Sequence, residues 1–201
     1  MVAAETPEQP MSAQDFETQE SGWGILAELP GDPMMWVLIF SELAVFGLLL
    51  GAFAVARTVN PSVFASGQGL LDPGLAAINT LVLLTSGWAA ARGALAARER
   101  RRPACRRWLA LAIALGALFV AIKLLEYVGE IGTGADLERS TFFTLYFLLT
   151  GFHLLHVMLG MVILAVVLRG AAPAAVETGT SFWHMVDLVW VVMFPIIYLV
   201  R

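Results

Sequence analysis

The chain has 201 residues, 59% of them apolar and 14% charged, with 12 basic against 16 acidic side chains and a formal charge of −4. A water-soluble domain is roughly 45–50% apolar and roughly 25% charged, so this balance excludes an ordinary soluble fold and calls for lipid or partner subunits around the protein. Nucleic acid is not among the expected partners.

Residues 1–33 carry Glu5, Glu8, Asp15, Glu17, Glu20, Glu28 and Asp32 but no Lys or Arg, and are rich in Glu, Gln, Ser and Pro without periodicity. They read as a disordered, acidic cytoplasmic leader. The missing basic n-region argues against a cleaved secretory signal. Beyond it, residues 34–201 form the membrane domain. A hydrocarbon core about 30 Å thick needs about 20 apolar residues at a rise of about 1.5 Å each. Five segments meet that length, at about 34–56, 73–97, 108–129, 141–168 and 180–200. The expected fold class is therefore all-α, a polytopic membrane helical bundle with five transmembrane helices.

Span one holds a lone acid, Glu42, with no basic residue on its helix before Arg57, and a G-x-x-x-G pair at Gly47 and Gly51. An acid inside a membrane is costly and is a candidate for proton or lipid-headgroup interaction, whereas paired small residues permit close helix approach. In span two Asn79, Ser86 and Gly93 recur every seven residues, which also predicts a face turned to another helix. The connection after it contains Arg98, Arg100, Arg101, Arg102, Arg106 and Arg107, with Arg92 nearby, and the single cysteine, Cys105, which has no partner for an internal disulfide. The positive-inside rule puts that connection in the cytoplasm, so an odd number of spans gives a cytoplasmic amino terminus and a carboxyl terminus outside. The connection after span three, with Glu130, Asp136, Glu138 and only Arg139, agrees.

Within span three Lys123 and Glu126 are same-face neighbours, predicting an intramembrane ion pair near the outer end that snorkels to the interface. His153 and His156 share a face of span four, and His184 and Asp187 a face of span five. Depth along the spans groups Glu42 with His184 and Asp187 in the inner half of the bilayer. Two readings of the histidines stay open: ligands to a metal or haem, and structural or lipid-contacting polar groups. Three histidines and one extramembrane cysteine are few for a redox centre. Pro195 removes a backbone hydrogen bond and predicts a bend near the outer end of span five.

Six linked motifs carry a family resemblance: Ile39-Phe40-Ser41-Glu42-Leu43, Asn79 to Leu84, Glu126-Tyr127, Ser140-Thr141-Phe142-Phe143, Thr150-Gly151-Phe152-His153-Leu154-Leu155-His156-Val157, and Trp183-His184-Met185-Val186-Asp187-Leu188-Val189-Trp190. In order and spacing they resemble subunit III of haem-copper cytochrome oxidases, in the five-span form that lacks the family's first two helices. Pro30-Gly31-Asp32 with Met35-Trp36, Lys123 before Glu126, and the ending from Phe194 to Arg201 look most like the NorE-like branch associated with nitric oxide reductases.

The resemblance implies a non-catalytic accessory subunit of a respiratory haem-copper complex in the bacterial plasma membrane. Its partner would be the catalytic subunit of a cytochrome oxidase or nitric oxide reductase, which carries the haem, with copper or non-haem iron, while this chain binds none. It also implies phospholipid binding and support of proton uptake, with Glu42 at the family's carbodiimide-reactive acid and His153, His156, His184 and Asp187 at its remaining polar motifs. An alternative class is a small proton or cation transporter, although no internal repeat is evident.

Overall fold

The computed structural model describes residues 33–132 and 140–200. Apart from Pro33, the leader read at 1–33 lies outside the described residues, as do Asp136, Glu138, Arg139 and Arg201. The described elements are α1 (Pro33–Val59), α2 (Pro61–Gln68), α3 (Pro73–Arg98), α4 (Arg102–Gly132), α5 (Thr141–Gly170), α6 (Pro173–Phe194) and a terminal π-helical turn (Pro195–Leu199). Counting α6 with its π-helical turn as one, five helices are long and apolar enough to cross a membrane, and the chain is a multi-pass membrane protein.

Local chemistry sets the helix ends. Pro61, Pro73 and Pro173 occupy first-turn positions, where the missing N–H costs nothing. Asp72 Oδ1 caps α3, accepting from the N–H groups of Gly74 at 2.9 Å and Leu75 at 3.1 Å. Ala171 closes α5 in the left-handed region (φ 49°) and donates its N–H to Val167 O at 2.8 Å. The chain then turns into α6 within two residues. α4 runs from Arg102 to Gly132, past both ends of the apolar stretch at 108–129, because charged side chains end a hydrophobic run without interrupting helical hydrogen bonding.

α3, α4, α5 and α6 pack in sequence around one core, and α1 lies outside it against α5 and α6. The predicted face of α3 does meet a neighbour. Asn79 Nδ2 donates to Phe119 O at 3.2 Å, Ser86 Oγ donates to Ala112 O at 2.7 Å, and Gly93 admits the Leu109 side chain, all on α4. Hydroxyl and amide groups thus find carbonyls across the helix pair where lipid offers none. The G-x-x-x-G pair of α1 behaves otherwise: a Cβ at Gly47 or Gly51 would touch nothing within 4 Å, and both residues are exposed. Spacing specifies that two small residues share a face, not which way the face points.

α2 is an element the sequence reading missed, being too short to give an apolar run. It is anchored by Phe64, whose ring lies 5.1 Å from that of Phe53 on α1 and 5.4 Å from that of Phe142 on α5, while Gly67 sits directly on the Phe142 ring. On α6, Trp183 fits its indole between two glycine backbones. A Cβ added at Gly116 of α4 would fall 2.7 Å from Cη2, and one at Gly160 of α5 would fall 2.7 Å from Cε3. Pro195 brings a change of helix type: Val200 N–H donates to Pro195 O at 2.9 Å, a five-residue step. Gln68 Nε2 secures this end, donating to Ile197 O at 2.8 Å and Val200 O at 3.0 Å.

Candidate functional site

The polar groups inside the spans assemble into three separate places. Farthest from the arginine-rich connection is a cluster around Lys123. Its ammonium does not snorkel: the residue is 0% exposed. All three N–H bonds have acceptors, at Glu126 Oε2 (3.0 Å), Tyr146 OH (2.8 Å) and Tyr198 OH (2.6 Å). The rings of Tyr146, Tyr127, Tyr198 and Trp190 surround it at 4.9, 5.1, 5.4 and 5.5 Å from their centroids. Burying an ammonium costs several kcal/mol, and a full set of acceptors with aromatic faces offsets that cost where a lone i, i+3 pair would not.

The tyrosines pass the connection onward. Tyr198 OH donates to Glu126 Oε1 at 2.6 Å, and Tyr146 OH lies 2.7 Å from Glu130 Oε1 and 3.1 Å from Glu126 Oε1. Glu130, read from sequence as a loop charge, is a buried residue of α4. It was missed, with Tyr146 and Tyr198, because nothing in local spacing connects residues on three elements. The cluster therefore ties α4, α5 and the π-helical turn into one polar unit.

The second place is a pair. Glu42 does not approach His184 or Asp187; its Oε2 lies 3.0 Å from His156 Nε2, joining α1 to α5. Depth alone could not choose among helices at a similar level, and α1 packs with its acid toward α5. His156 Nδ1 is 2.8 Å from Phe152 O, and a carbonyl only accepts, so Nδ1 carries hydrogen. Nε2 and Glu42 then hold one proton between them, either as neutral acid and imidazole or as carboxylate and imidazolium. The Phe46 and Phe152 rings flank the imidazole at 5.3 and 4.6 Å, and part of Glu42 remains open to the bundle exterior.

His153, one turn from His156, faces the core instead. It stacks on Trp190 at 5.1 Å and 26°, with Phe119 and Phe46 edge-on at 5.9 and 6.3 Å. Neither of its ring nitrogens has a hydrogen-bond partner among the described residues. The two histidines of the motif thus do not converge. Trp190, in turn, donates its Nε1–H to Thr80 Oγ1 at 2.9 Å.

The third place is on α6. His184 is exposed, with Nδ1 3.8 Å from Asp187 Oδ2, and the buried Asp187 carboxylate rests on α3 where Gly87 leaves no room for a Cβ. Among the described residues no three His, Cys, Asp or Glu side chains are arranged to hold a metal ion.

An apolar groove of about 520 Å³ runs along α5, lined by Ile131, Thr144, Phe147, Leu148, Gly151, Phe152 and Leu155. At the opposite end of the bundle Arg98 pairs with Glu177, Arg101 pairs with Glu99, and Arg106 donates to Arg169 O at 2.8 Å.

Residues 33–200 match the family model described as cytochrome c oxidase subunit III. The chain is 33% identical over 178 residues to a cytochrome c oxidase subunit 3 from Synechocystis sp., covering 83% of this chain and 75% of the relative. A cytochrome c oxidase subunit 3 from Thermostichus vulcanus is 30% identical, covering 81% of this chain and 84% of its own length. A cytochrome bo(3) ubiquinol oxidase subunit 3 from Pseudomonas putida is also 30% identical, at 82% and 83%. With a match from the first residue of α1 to the end of the π-helical turn, the chain belongs to the cytochrome c oxidase subunit III family.

Proposed function

We propose that this chain is the non-catalytic accessory subunit III of a respiratory haem-copper oxidase-type complex. The observation that carries the reading is the family match over the whole five-helix bundle. In this reading Glu42, which pairs with His156, corresponds to the family's membrane acid. In this reading haem, with copper or non-haem iron, belongs to the catalytic partner. The chain supports that partner's stability, lipid environment and proton uptake during electron transport. The arginine-rich end faces the cytoplasm of a bacterial plasma membrane, with the amino terminus inside and the carboxyl terminus outside.

A one-proton carboxyl–imidazole pair, partly open to the bundle exterior, suits a group that exchanges protons with a lipid headgroup or a neighbouring subunit. The apolar groove along α5 fits a phospholipid acyl chain, since its lining is hydrocarbon apart from Thr144. His153, His156, His184 and Asp187 support lipid and proton interactions as polar positions of the same bundle.

The finer reading is the NorE-like branch, in which the partner reduces nitric oxide during denitrification. Lys123 before Glu126 and the ending from Phe194 to Arg201 support it by their likeness to that branch. The names of the relatives support an oxygen-reducing partner instead. Affinity purification of the tagged chain from its own membranes tests both. A co-purifying haem-containing catalytic subunit is expected, and its reaction with oxygen or nitric oxide assigns the branch. Purification alone with stoichiometric haem or copper, or ion flux by the isolated chain in vesicles, refutes the accessory-subunit reading. Glu42→Gln is expected to leave assembly intact while changing bound lipid or sustained proton-coupled turnover.

A further inference from the structure

The outer surface between α3 and α4 changes character toward the arginine-rich end. Leu81, Leu84, Trp88, Arg92 and Leu95 follow one another at steps of three and four residues, so they share one face of α3, and all of them are exposed. Across the helix pair stands Trp108 of α4, with Leu111 exposed one turn deeper. The Trp88 and Trp108 rings meet edge to face, their centroids 5.1 Å apart at 88°. The guanidinium carbon of Arg92 lies 5.7 Å from the centroid of the Trp108 ring, over its face.

Depth gives this guanidinium a problem that the chain itself leaves open. The 26 residues of α3 extend about 39 Å against a hydrocarbon core about 30 Å thick, so a centred helix overshoots by about 4–5 Å at each end. Arg92 precedes Arg98, the last residue of α3, by six positions, or about 9 Å along the axis. Its side chain therefore starts inside the hydrocarbon boundary and reaches out to it. A cation held at that level needs a counter-charge. The carboxylates at this end are engaged elsewhere, Glu177 with Arg98 and Glu99 with Arg101, and Arg92 has no ion pair among the described residues. Arg100, Arg102 and Arg107 have none either, which makes the surroundings positive and disfavours a headgroup that carries its own ammonium.

We propose that Arg92, Trp88 and Trp108 form a site for one anionic phospholipid in the leaflet at the arginine-rich end. The planar guanidinium donates to the phosphodiester oxygens, and the Trp108 ring backs it from the other side. Both indoles sit at the headgroup level that suits them. One acyl chain lies along Trp88, Leu84 and Leu81. This site is at the opposite end of the bundle from the α5 groove, and it does not rest on the identity of any catalytic partner.

Tryptophan quenching tests it, with the purified full chain in phosphatidylcholine vesicles holding a small fraction of phosphatidylglycerol brominated high on its acyl chains. Brominated phosphatidylglycerol is expected to quench more strongly than brominated phosphatidylcholine at the same mole fraction. Arg92→Gln is expected to lower that preference about fivefold, the equivalent of the contribution of about 1 kcal/mol from one basic side chain at an anionic surface. Arg100→Gln, in the connecting turn, is expected to lower it much less. Trp88→Phe combined with Trp108→Phe is expected to remove the lipid-specific part of the quenching, since Trp183 and Trp190 are buried. Equal quenching by the two lipids in the unsubstituted chain overturns the site, as does an unchanged preference in Arg92→Gln. An Arg100→Gln loss as large as that of Arg92→Gln overturns it in favour of diffuse surface charge. Quenching that survives the double tryptophan substitution overturns its location. Displacement by inorganic phosphate at constant ionic strength overturns the lipid as occupant in favour of a free anion.

Discussion

Trp183 offers a stringent test of the packing, because its indole is held from both sides. Gly160→Ala puts a methyl carbon 2.7 Å from Cε3 and 3.0 Å from Cζ3, whereas carbon atoms rest at about 3.5–4.0 Å. The ring would have to retreat by the better part of an ångström. It cannot do so freely, since Gly116 abuts its opposite end and Trp183 is fully buried. Overpacking of this kind costs about 1–3 kcal/mol. Trp183→Phe removes the atoms in question, and the buried Nε1 has no hydrogen-bond partner among the described residues to lose. A double-mutant cycle is therefore expected to give a coupling of at least about 1 kcal/mol, with Gly160→Ala cheaper in the Phe background. Gly151→Ala, where a Cβ meets nothing within 4 Å, is the control and is expected to be close to neutral. Denaturant unfolding in a mild detergent, followed by tryptophan fluorescence or retention on gel filtration, reads these differences. Equal penalties for Gly160→Ala and Gly151→Ala, or the same Gly160→Ala penalty with and without the indole, would refute the wedge.

Lys123→Met is expected to cost about 3–5 kcal/mol by leaving the buried Glu126 carboxylate without its paired ammonium; restoring part of that loss with Glu126→Gln in the same chain would identify charge, not shape, as the cause. Gln68→Ala strips two carbonyls of their shared donor, so the last turn should become more accessible to carboxypeptidase with a stability loss of about 1–3 kcal/mol. Gly87→Ala should displace Asp187 from α3, and an undisturbed melting temperature in that variant would show the carboxylate has room elsewhere.

The spans were legible because a bilayer imposes a length and a composition that five stretches of this chain meet. The heptad of Asn79, Ser86 and Gly93 was legible for a related reason, since small and hydrogen-bonding side chains in lipid have few places to go except against another helix. Partner choice was not. Glu42 could be assigned a depth but not a neighbour, because depth is a one-dimensional quantity and His156 is selected by how α1 lies on α5. Lys123 is the sharper case. Its i, i+3 spacing from Glu126 predicts a pair, and the pair forms, but what keeps it buried comes from Tyr146 and Tyr198, far along the chain. The same holds for α2, whose eight residues make sense only with Phe53 and Phe142 already in place.

The two ends of the bundle are chemically unlike. Arg98, Arg101, Arg106 and Arg169 gather at one, while Asp72, Glu126 and Glu130 lie toward the other. Such a chain is a polarised object in an energised membrane. Each elementary charge carried across a 100 mV potential changes the free energy by about 2.3 kcal/mol. Inverting the molecule would carry its guanidinium groups across that potential, which sets a free-energy difference between the two orientations. The guanidinium groups gathered at one end therefore favour the orientation that keeps them on the negative side of the membrane potential.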